Sequence, residues 1–334
     1  MQKTTAQSTT GGAGSRALGE RVKALFGQPE FILFLVIILL LALGAVVNPR
    51  SVGIENLKIM TRDTAILAIA AIGVGFTILT GGIDLSVGSI IGLAGVLAAY
   101  FMVVWGLPIW ISIPMTLAVG LGIGMVHGLF VTKLKMHGFL ITLVTMGLAR
   151  GFTLVLTNAF PITGLPLAFN ALGQGYLGNI IPIPVLIAAG VAAVAYFVLR
   201  FTFIGRQIYA AGGNVEAARF SGVNVDARII LCYVVSVVCA SMVGMIQAAR
   251  MSLGHPGAGE GYELLAITAA ILGGVSFSGG QGGVIGILVG ALLIGVLQNL
   301  LVMLNINPYW HKIVISLVLL AAITFDYARR RRRV

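Results

Sequence analysis

Charge is what this chain has least of. Only 9% of its 334 residues are Asp, Glu, Lys or Arg, while 58% are hydrophobic, and mean hydropathy is +1.05. A soluble domain carries about 25% charged residues because its surface must face water. A water-soluble globule is therefore excluded, and lipid is the main solvent. Cysteine is almost missing: Cys232 and Cys239 stand seven apart in one apolar run, roughly 10 Å along a helix, beyond disulfide reach. They read as small packing residues and say nothing about redox compartment. Acids are few, ten in all. No paired carboxylates, nucleophile–base set or metal-ligand spacing occurs, which argues against a membrane enzyme and a bound metal; no cofactor is expected. His127, His137 and His311 are assigned to membrane interfaces. The chain also lacks a GxxxxGK[ST] phosphate loop, and no Gly-Lys dipeptide occurs anywhere. It has no such route to ATP hydrolysis.

Long apolar runs are abundant. A membrane-crossing helix needs about 20 mostly apolar residues. Runs at 31–47, 62–79, 85–104, 108–130, 138–157, 182–200, 229–249, 263–278, 283–304 and 312–326 predict an all-α, polytopic membrane protein of about ten spans. Some helices are expected to be broken or re-entrant, and Gly273 and Gly274 interrupt the eighth. Residues 1–30, rich in Ser, Thr and Gly, predict a flexible cytoplasmic tail. The run that follows ends in Val-Asn-Pro-Arg without a small-x-small cleavage site, so it reads as a retained first span. Residues 31–327 then form one transmembrane domain and 328–334 a basic tail.

The net charge of +11 suggests nucleic acid only until the cations are placed. Arg329 to Arg333 form a terminal run, and the rest lie mostly between apolar segments. With the N-terminus inside, fifteen Lys and Arg fall on cytoplasmic segments and five (Arg50, Lys58, Arg62, Arg250, Lys312) on outer ones. Cations retained on the cytoplasmic side set topology, so both termini are cytoplasmic. The terminal arginines suit an anionic inner leaflet, and no nucleic-acid partner is expected.

Glycine, at 45 residues, clusters inside spans, as at Gly120, Gly122 and Gly124 or Gly282, Gly283, Gly286, Gly290 and Gly295. Small residues let membrane helices approach closely, so tight packing is expected for most of these. The stretch TGGIDLSVGS at 80–89 differs, because it sets a carboxylate between two apolar runs. Gly81 and Gly82 end one helix, and Asp84 or Ser86 can cap the next. An acid at mid-bilayer costs about 2.5–3.5 kcal/mol, and broken backbone at that depth is tolerated only inside protein or along a wet cavity. Asp84 therefore faces inward, as a cap near the cytoplasmic end of a pathway, as a gate element lining it with Ser86, or as a proton-coupling group. Arg150, inside the fifth span, pairs with an acid or backbone carbonyls or lines the pathway. Gln247, Gln298 and Asn299 either join helices or hydrogen-bond a passing solute.

Residues 201–228, FTFIGRQIYAAGGNVEAARFSGVNVDAR, form the longest polar stretch between spans. Five charges from Arg206 to Arg228 keep it out of the bilayer. Asn214 is an N-cap, Glu216 suits the helix dipole in the first turn, and Gly222 can close the end. The result is a helix of about two turns that offers Ala217 and Ala218 on the membrane face. A helix that short needs a surface to dock on, and Arg206, Arg219 and Arg228 can bind acidic rims.

Glu216-Ala217-Ala218-x-x-x-Gly222 resembles the EAA loop of binding-protein-dependent ABC importer permeases. GGIDLSVGS at 81–89, GRQIYAAGGNVEAARFSGVNV at 205–225 and GYELLAITAAILGGVSFSGGQG at 261–282 resemble the ribose-type sugar permeases, in order, across about 55–325. The resemblance implies a monosaccharide or polyol permease of a bacterial inner membrane. Its implied partners are a cytoplasmic ABC ATPase subunit, a periplasmic sugar-binding protein and a second permease copy. It implies ATPase coupling through Arg206, Gly212, Gly213, Asn214, Glu216, Ala217, Ala218, Arg219 and Gly222. Gly81, Gly82, Asp84, Ser86, Gln298 and Asn299 are candidates for the pathway or gate. The outer segment at 250–263, with Arg250, His255, Glu260 and Glu263, is the expected docking rim for the binding protein. A branched-chain amino-acid permease of the same broad family and an ion-coupled secondary transporter are the alternatives. The second would rely on buried ionisable residues, and Asp84 is the one acid clearly within the span-and-break region.

Overall fold

The computed structural model describes residues 29–331, with side chains from 33 to 324. The tail expected over 1–30 lies outside the described residues except for its last two positions, as do Arg332 and Arg333. Thirteen helices are described: α1 (Pro29–Val47), α2 (Ile54–Leu79), α3 (Val87–Ala99), α4 (Ile109–Lys133), α5 (Gly138–Thr157), α6 (Leu167–Gln174), α7 (Ile183–Phe201), α8 (Phe203–Gly213), α9 (Val215–Phe220), α10 (Val225–Met251), α11 (Tyr262–Leu272), α12 (Val284–Met303) and α13 (Pro308–Arg331). A π turn, Tyr100–Val104, extends α3. Among the described residues, strands are confined to two-residue pairs. β1 (Ile162–Thr163) is antiparallel to β4 (Leu253–Gly254), with Ile162 opposite Gly254, and β2 (Tyr176–Leu177) pairs with β3 (Ile181–Pro182).

The all-α polytopic class holds. Each expected span coincides with a helix, and among the described residues seven (α2, α3 with its π turn, α4, α5, α7, α10 and α12) are long and apolar enough to cross a membrane. The eighth run is corrected to the 11-residue α11, because the chain turns at Gly273 and Gly274 instead of passing through them. Two elements were not anticipated. α6 lies between α5 and α7, and α8 makes the first half of the polar segment a helix of its own. α13 continues through Arg331, so the start of the expected basic tail is helical.

α10 runs through the centre, packed on α4, α3 and α2, while α11 and α12 pack on α2. α2 and α3 are buried along most of their length, whereas α4, α5 and α7 expose most of theirs. Glycine sets the helix spacing. A Cβ on Gly124 would lie 2.6 Å from Val234 Cα, and one on Gly128 would lie 2.5 Å from Ile230 Cα. Where lipid is as apolar as leucine, close backbone approach is what holds such helices together. Gly120 and Gly124 meet the packing expectation, but Gly122 and Gly283 face open space. Gly290 packs against Ala269 O, where a Cβ would lie 2.0 Å away, so α11 and α12 form a tight hairpin.

Polar contacts sort the loops into two ends. Lys133 pairs with Asp226 at one. At the other Lys312 pairs with Glu260, and Asn48 Nδ2 reaches Met303 O. These are the groupings that the Lys and Arg distribution expects for the inner and outer faces.

The two neighbouring glycines give a paired test. Gly124→Ala forces α4 off α10 and should cost about 1–3 kcal/mol as overpacking. Gly122→Ala, facing open space, should leave stability within about 0.5 kcal/mol. Thermal unfolding in detergent, followed by the monodisperse fraction on size exclusion, reads both; equal losses would contradict the packing assignment.

Candidate functional site

The break after α2 begins with a double turn. Gly81 N–H donates to Ile78 O at 2.8 Å and Gly82 N–H to Thr77 O at 2.9 Å, with Gly81 at φ +78°. This helix ending needs a left-handed residue, and glycine takes that conformation without a Cβ clash. The chain then runs non-helically to α3 through Asp84, which is completely buried. Asp84 Oδ1 accepts from Ser86 N–H at 2.9 Å and Ser86 Oγ–H at 2.6 Å, and Oδ2 accepts from Ser236 Oγ–H of α10 at 2.7 Å. Thr142 Oγ1, one turn into α5, accepts from Leu85 N–H at 3.2 Å.

The cap reading is corrected for Ser86, while Asp84 does take up an amide at the entry to α3, that of Ser86 itself. Ser86 occupies the N-cap of α3 without a side-chain cap bond. Asp84 folds the chain leading into the helix and ties it to α10. Both side chains are sealed in this conformation, so neither lines an open route; among the four break residues it is Gly81 that is exposed.

The second break repeats the ending. Gly274 N–H donates to Ile271 O at 2.9 Å and Val275 N–H to Ala270 O at 3.0 Å, with Gly274 at φ +84°. A compact turn follows, in which Ser276 N–H donates to Gln281 O at 2.9 Å. The two breaks meet: Gly280 N–H donates to Leu79 O at 2.9 Å, supplying one of the donors that the last carbonyls of α2 lack within their own helix. The end of α8 presses on the same point. A Cβ on Gly212 would lie 1.8 Å from Leu79 O and 2.7 Å from Gly280 N. One turn earlier, Tyr209 Oη–H donates to Gly282 O at 2.9 Å. A cavity of about 670 Å³ adjoins this junction, with Arg200, Arg206 and Tyr209 in its wall.

The polar segment is punctuated as its sequence predicts. Asn214 Oδ1 accepts Ala217 N–H at 2.9 Å, Glu216 lies in the first turn of α9, and Gly222, at φ +79°, closes it through Val223 N–H to Ala218 O at 3.0 Å. Two expectations change. Ala218 is buried against Ala211 and Val225, so Ala217 alone of the pair is presented outward. Arg219 is held by Asp226 at 2.9 Å and Arg228 Nε–H by Gln207 Oε1 at 2.7 Å. Arg206 is then the exposed arginine of the three without a partner among the described residues. Gly213 and Asn214 are also exposed. Sequence reasoning passed over Tyr209 and over Phe220, which is 93% exposed at the end of α9. An unpartnered ring in a charged segment was the signal for it.

At the other end, Arg250 is engaged by Asp63 of α2 and does not stand as a free rim cation. Asp63 was passed over although it is the second residue of the run drawn at 62–79; because α2 starts at Ile54, this acid lies well inside the helix and not at its edge. Glu260 is exposed and bonded to Lys312 at 3.0 Å; that hydrogen bond and charge hold its carboxyl below the usual carboxylate range. Glu263 is half-buried over the first turn of α3, where a Cβ on Gly88 would lie 1.9 Å from its Oε2. Arg150 Nη1–H reaches Pro256 O at 2.6 Å and Ala258 O at 3.1 Å, the backbone-carbonyl pairing its position suggested. Asn299 forms a reciprocal amide pair with Asn56 of α2, at 2.9 and 3.0 Å, so it joins helices; Gln298 is half-buried and makes no hydrogen bond among the described residues. His127 is not interfacial. It is fully buried, with Nε2 2.9 Å from Thr145 Oγ1, because the glycine face of α4 turns it toward α10. Among the described residues no His, Cys, Asp or Glu cluster could hold a metal.

A family model described as branched-chain amino acid transport system / permease component matches residues 56–323. The ribose import permease protein RbsC of Haemophilus influenzae is 42% identical over 297 residues, covering 88% of this chain and 91% of the relative. RbsC of Escherichia coli K12 is 40% identical over 295 residues, with 87% and 91% covered. The galactose/methyl galactoside import permease protein MglC of E. coli K12 is 34% identical over 322 residues, with 90% and 95% covered. No solved structure matches.

The clasp on Asp84 can be weighed by a double-mutant cycle. Ser236→Ala should cost about 1 kcal/mol, and Asp84→Ala more, since it strips the acceptor from three donors. The pair should fall short of additivity by about 0.5 kcal/mol or more. Full additivity in thermal or denaturant unfolding would mean that the 84–236 bond contributes nothing.

Proposed function

The chain belongs to the family described as branched-chain amino acid transport system / permease component, and on that premise we propose that it is the membrane-spanning subunit of an ATP-driven importer carrying a monosaccharide or related polyol inward by alternating access. The observation that carries this reading is the junction at Leu79, Gly212 and Gly280, where a surface segment bears directly on two breaks in the spanning helices. A passive conduit worked from outside needs such a contact between its docking surface and its barrier. With no phosphate loop in the sequence, the energy comes from a separate ATPase subunit on the cytoplasmic face. A periplasmic sugar-binding protein delivers the solute, a second permease copy completes the pathway, and the assembly lies in a bacterial inner membrane.

The family description names amino acids, but the relatives at 34–42% identity are named for ribose and galactose, which supports a sugar. Neutral hydrogen-bonding groups suit that cargo better than a zwitterion's demand for complementary charge. An ion-coupled mechanism would use exposed or vacant acids. Asp84 instead carries three donors, and Asp63 holds Arg250.

In this reading α8 and α9, with the turn that follows them, move as a lever. Ala217 and Phe220 face the ATPase, and Gly81 and Gly82 with the 273–283 break reshape the cytoplasmic gate. Glu260 stands at the outer docking rim. Three results test it. Ala217→Glu, on an exposed position, should leave insertion intact but uncouple ATP hydrolysis from uptake in the reconstituted importer; normal coupling counts against the lever. Asp84→Asn should express yet slow uptake, and wild-type uptake would remove the gate role. The purified chain alone in liposomes should not accumulate sugar uphill, and if it does the reading is lost.

A further inference from the structure

We propose that the contact of Gly212 with Leu79 and Gly280, latched by the Tyr209 hydroxyl on Gly282, makes the two membrane breaks one mechanical unit that α8 drives in both directions. The inference rests on the ATPase-coupled reading and adds the element through which displacement passes.

No side chain intervenes at this junction. The Gly212 position is so close to Leu79 O that a Cβ would fall 1.8 Å from it. A Cβ on Gly279 would lie 2.8 Å from Gly81 N and 2.9 Å from Gly212 O, and one on Gly280 would lie 2.8 Å from Gly213 Cα. A side-chain contact can absorb a small displacement by changing rotamer. Backbone stacked on backbone has no such freedom, since packed interiors are stiff and close to incompressible. Movement of α8 toward the membrane therefore displaces Leu79 and Gly280 together, and their own hydrogen bond at 2.9 Å keeps them in register.

Compression alone would not return the unit. Tyr209 supplies the pull, because its hydroxyl donates to Gly282 O at 2.9 Å, beyond the compact turn that contains Gly280. Burial pushes the Tyr209 hydroxyl upward in pKa, with Arg200 opposing, so it stays protonated and able to donate at physiological pH. Retreat of α8 then draws Gly282 with it, and through the Gly280–Leu79 bond the end of α2 as well. α8 pushes through glycine and pulls through tyrosine.

Tyr209→Phe deletes the donor and keeps the ring. In the complete importer, assembled with its ATPase and binding protein in proteoliposomes, this variant should assemble normally and lose about fivefold in sugar transported per ATP hydrolysed, the weight of one hydrogen bond. Hydrogen exchange on the unmodified complex gives a readout independent of any variant. Adding ATP should change protection at 79–86 and at 275–283 with one shared nucleotide dependence, and in Tyr209→Phe the two should separate. Unchanged transport per ATP in Tyr209→Phe, or independent responses of the two breaks in the unmodified complex, overturns the inference. If Ala217→Glu uncouples while these results are normal, only the junction proposal falls; if Ala217→Glu also stays coupled, the ATPase-driven reading falls with it.

Discussion

A backbone that leaves its helix inside a membrane must find every hydrogen bond within the protein, because lipid offers none. The rest of this structure follows from how two interrupted helices meet that demand. α2 and α11 both stop on a glycine-supported double turn, and the carbonyl left over at Leu79 is met by an amide from the opposite break. Each interruption thus depends on the other's position. Two irregular segments far apart in sequence become a single compact feature, and α8, ending on a pair of glycines, lies against it.

Around that feature the bundle is held by few polar contacts with defined partners. Asp84 binds the first break to α10, Thr142 binds it to α5, and the Asn56–Asn299 amide pair locks α2 to α12. Such bonds are individually modest in membranes, averaging about 0.6 kcal/mol. They specify register, while glycine-mediated approach supplies the cohesion. Polar residues that looked available for a solute are for the most part already committed to neighbouring helices.

Much of this was legible. Hydropathy located a helix under each apolar run, and the caps at Asn214 and Gly222 were readable because capping is a local affair of three or four residues. The stop at Gly81 and Gly82 was readable for the same reason. What was not legible depends on distant partners. Nothing near Asp84 names Ser236, and nothing near Gly212 names Leu79. Ala218 was misjudged because a six-residue helix is too short for periodicity to say which side is covered. His127 was placed at an interface because hydropathy does not tell which neighbour the glycine face of α4 will meet. Asp63 was passed over because it stood at the edge of the drawn run, where an acid reads as loop, whereas α2 begins nine residues before it.

The bond between Asp84 and Ser236 also bears on how the protein is made. Its two ends are 152 residues apart, so at roughly 5–20 residues per second the acid emerges about 8–30 s before its α10 partner exists. By the end of that interval six spans have left the ribosome while the helix that fills their centre has not. The nascent chain must therefore shelter Asp84 in water, in the insertion machinery or against provisional neighbours, and the amino-terminal half cannot reach its final packing until the carboxy-terminal half arrives. Biogenesis of this bundle is in that sense completed from its middle, and late.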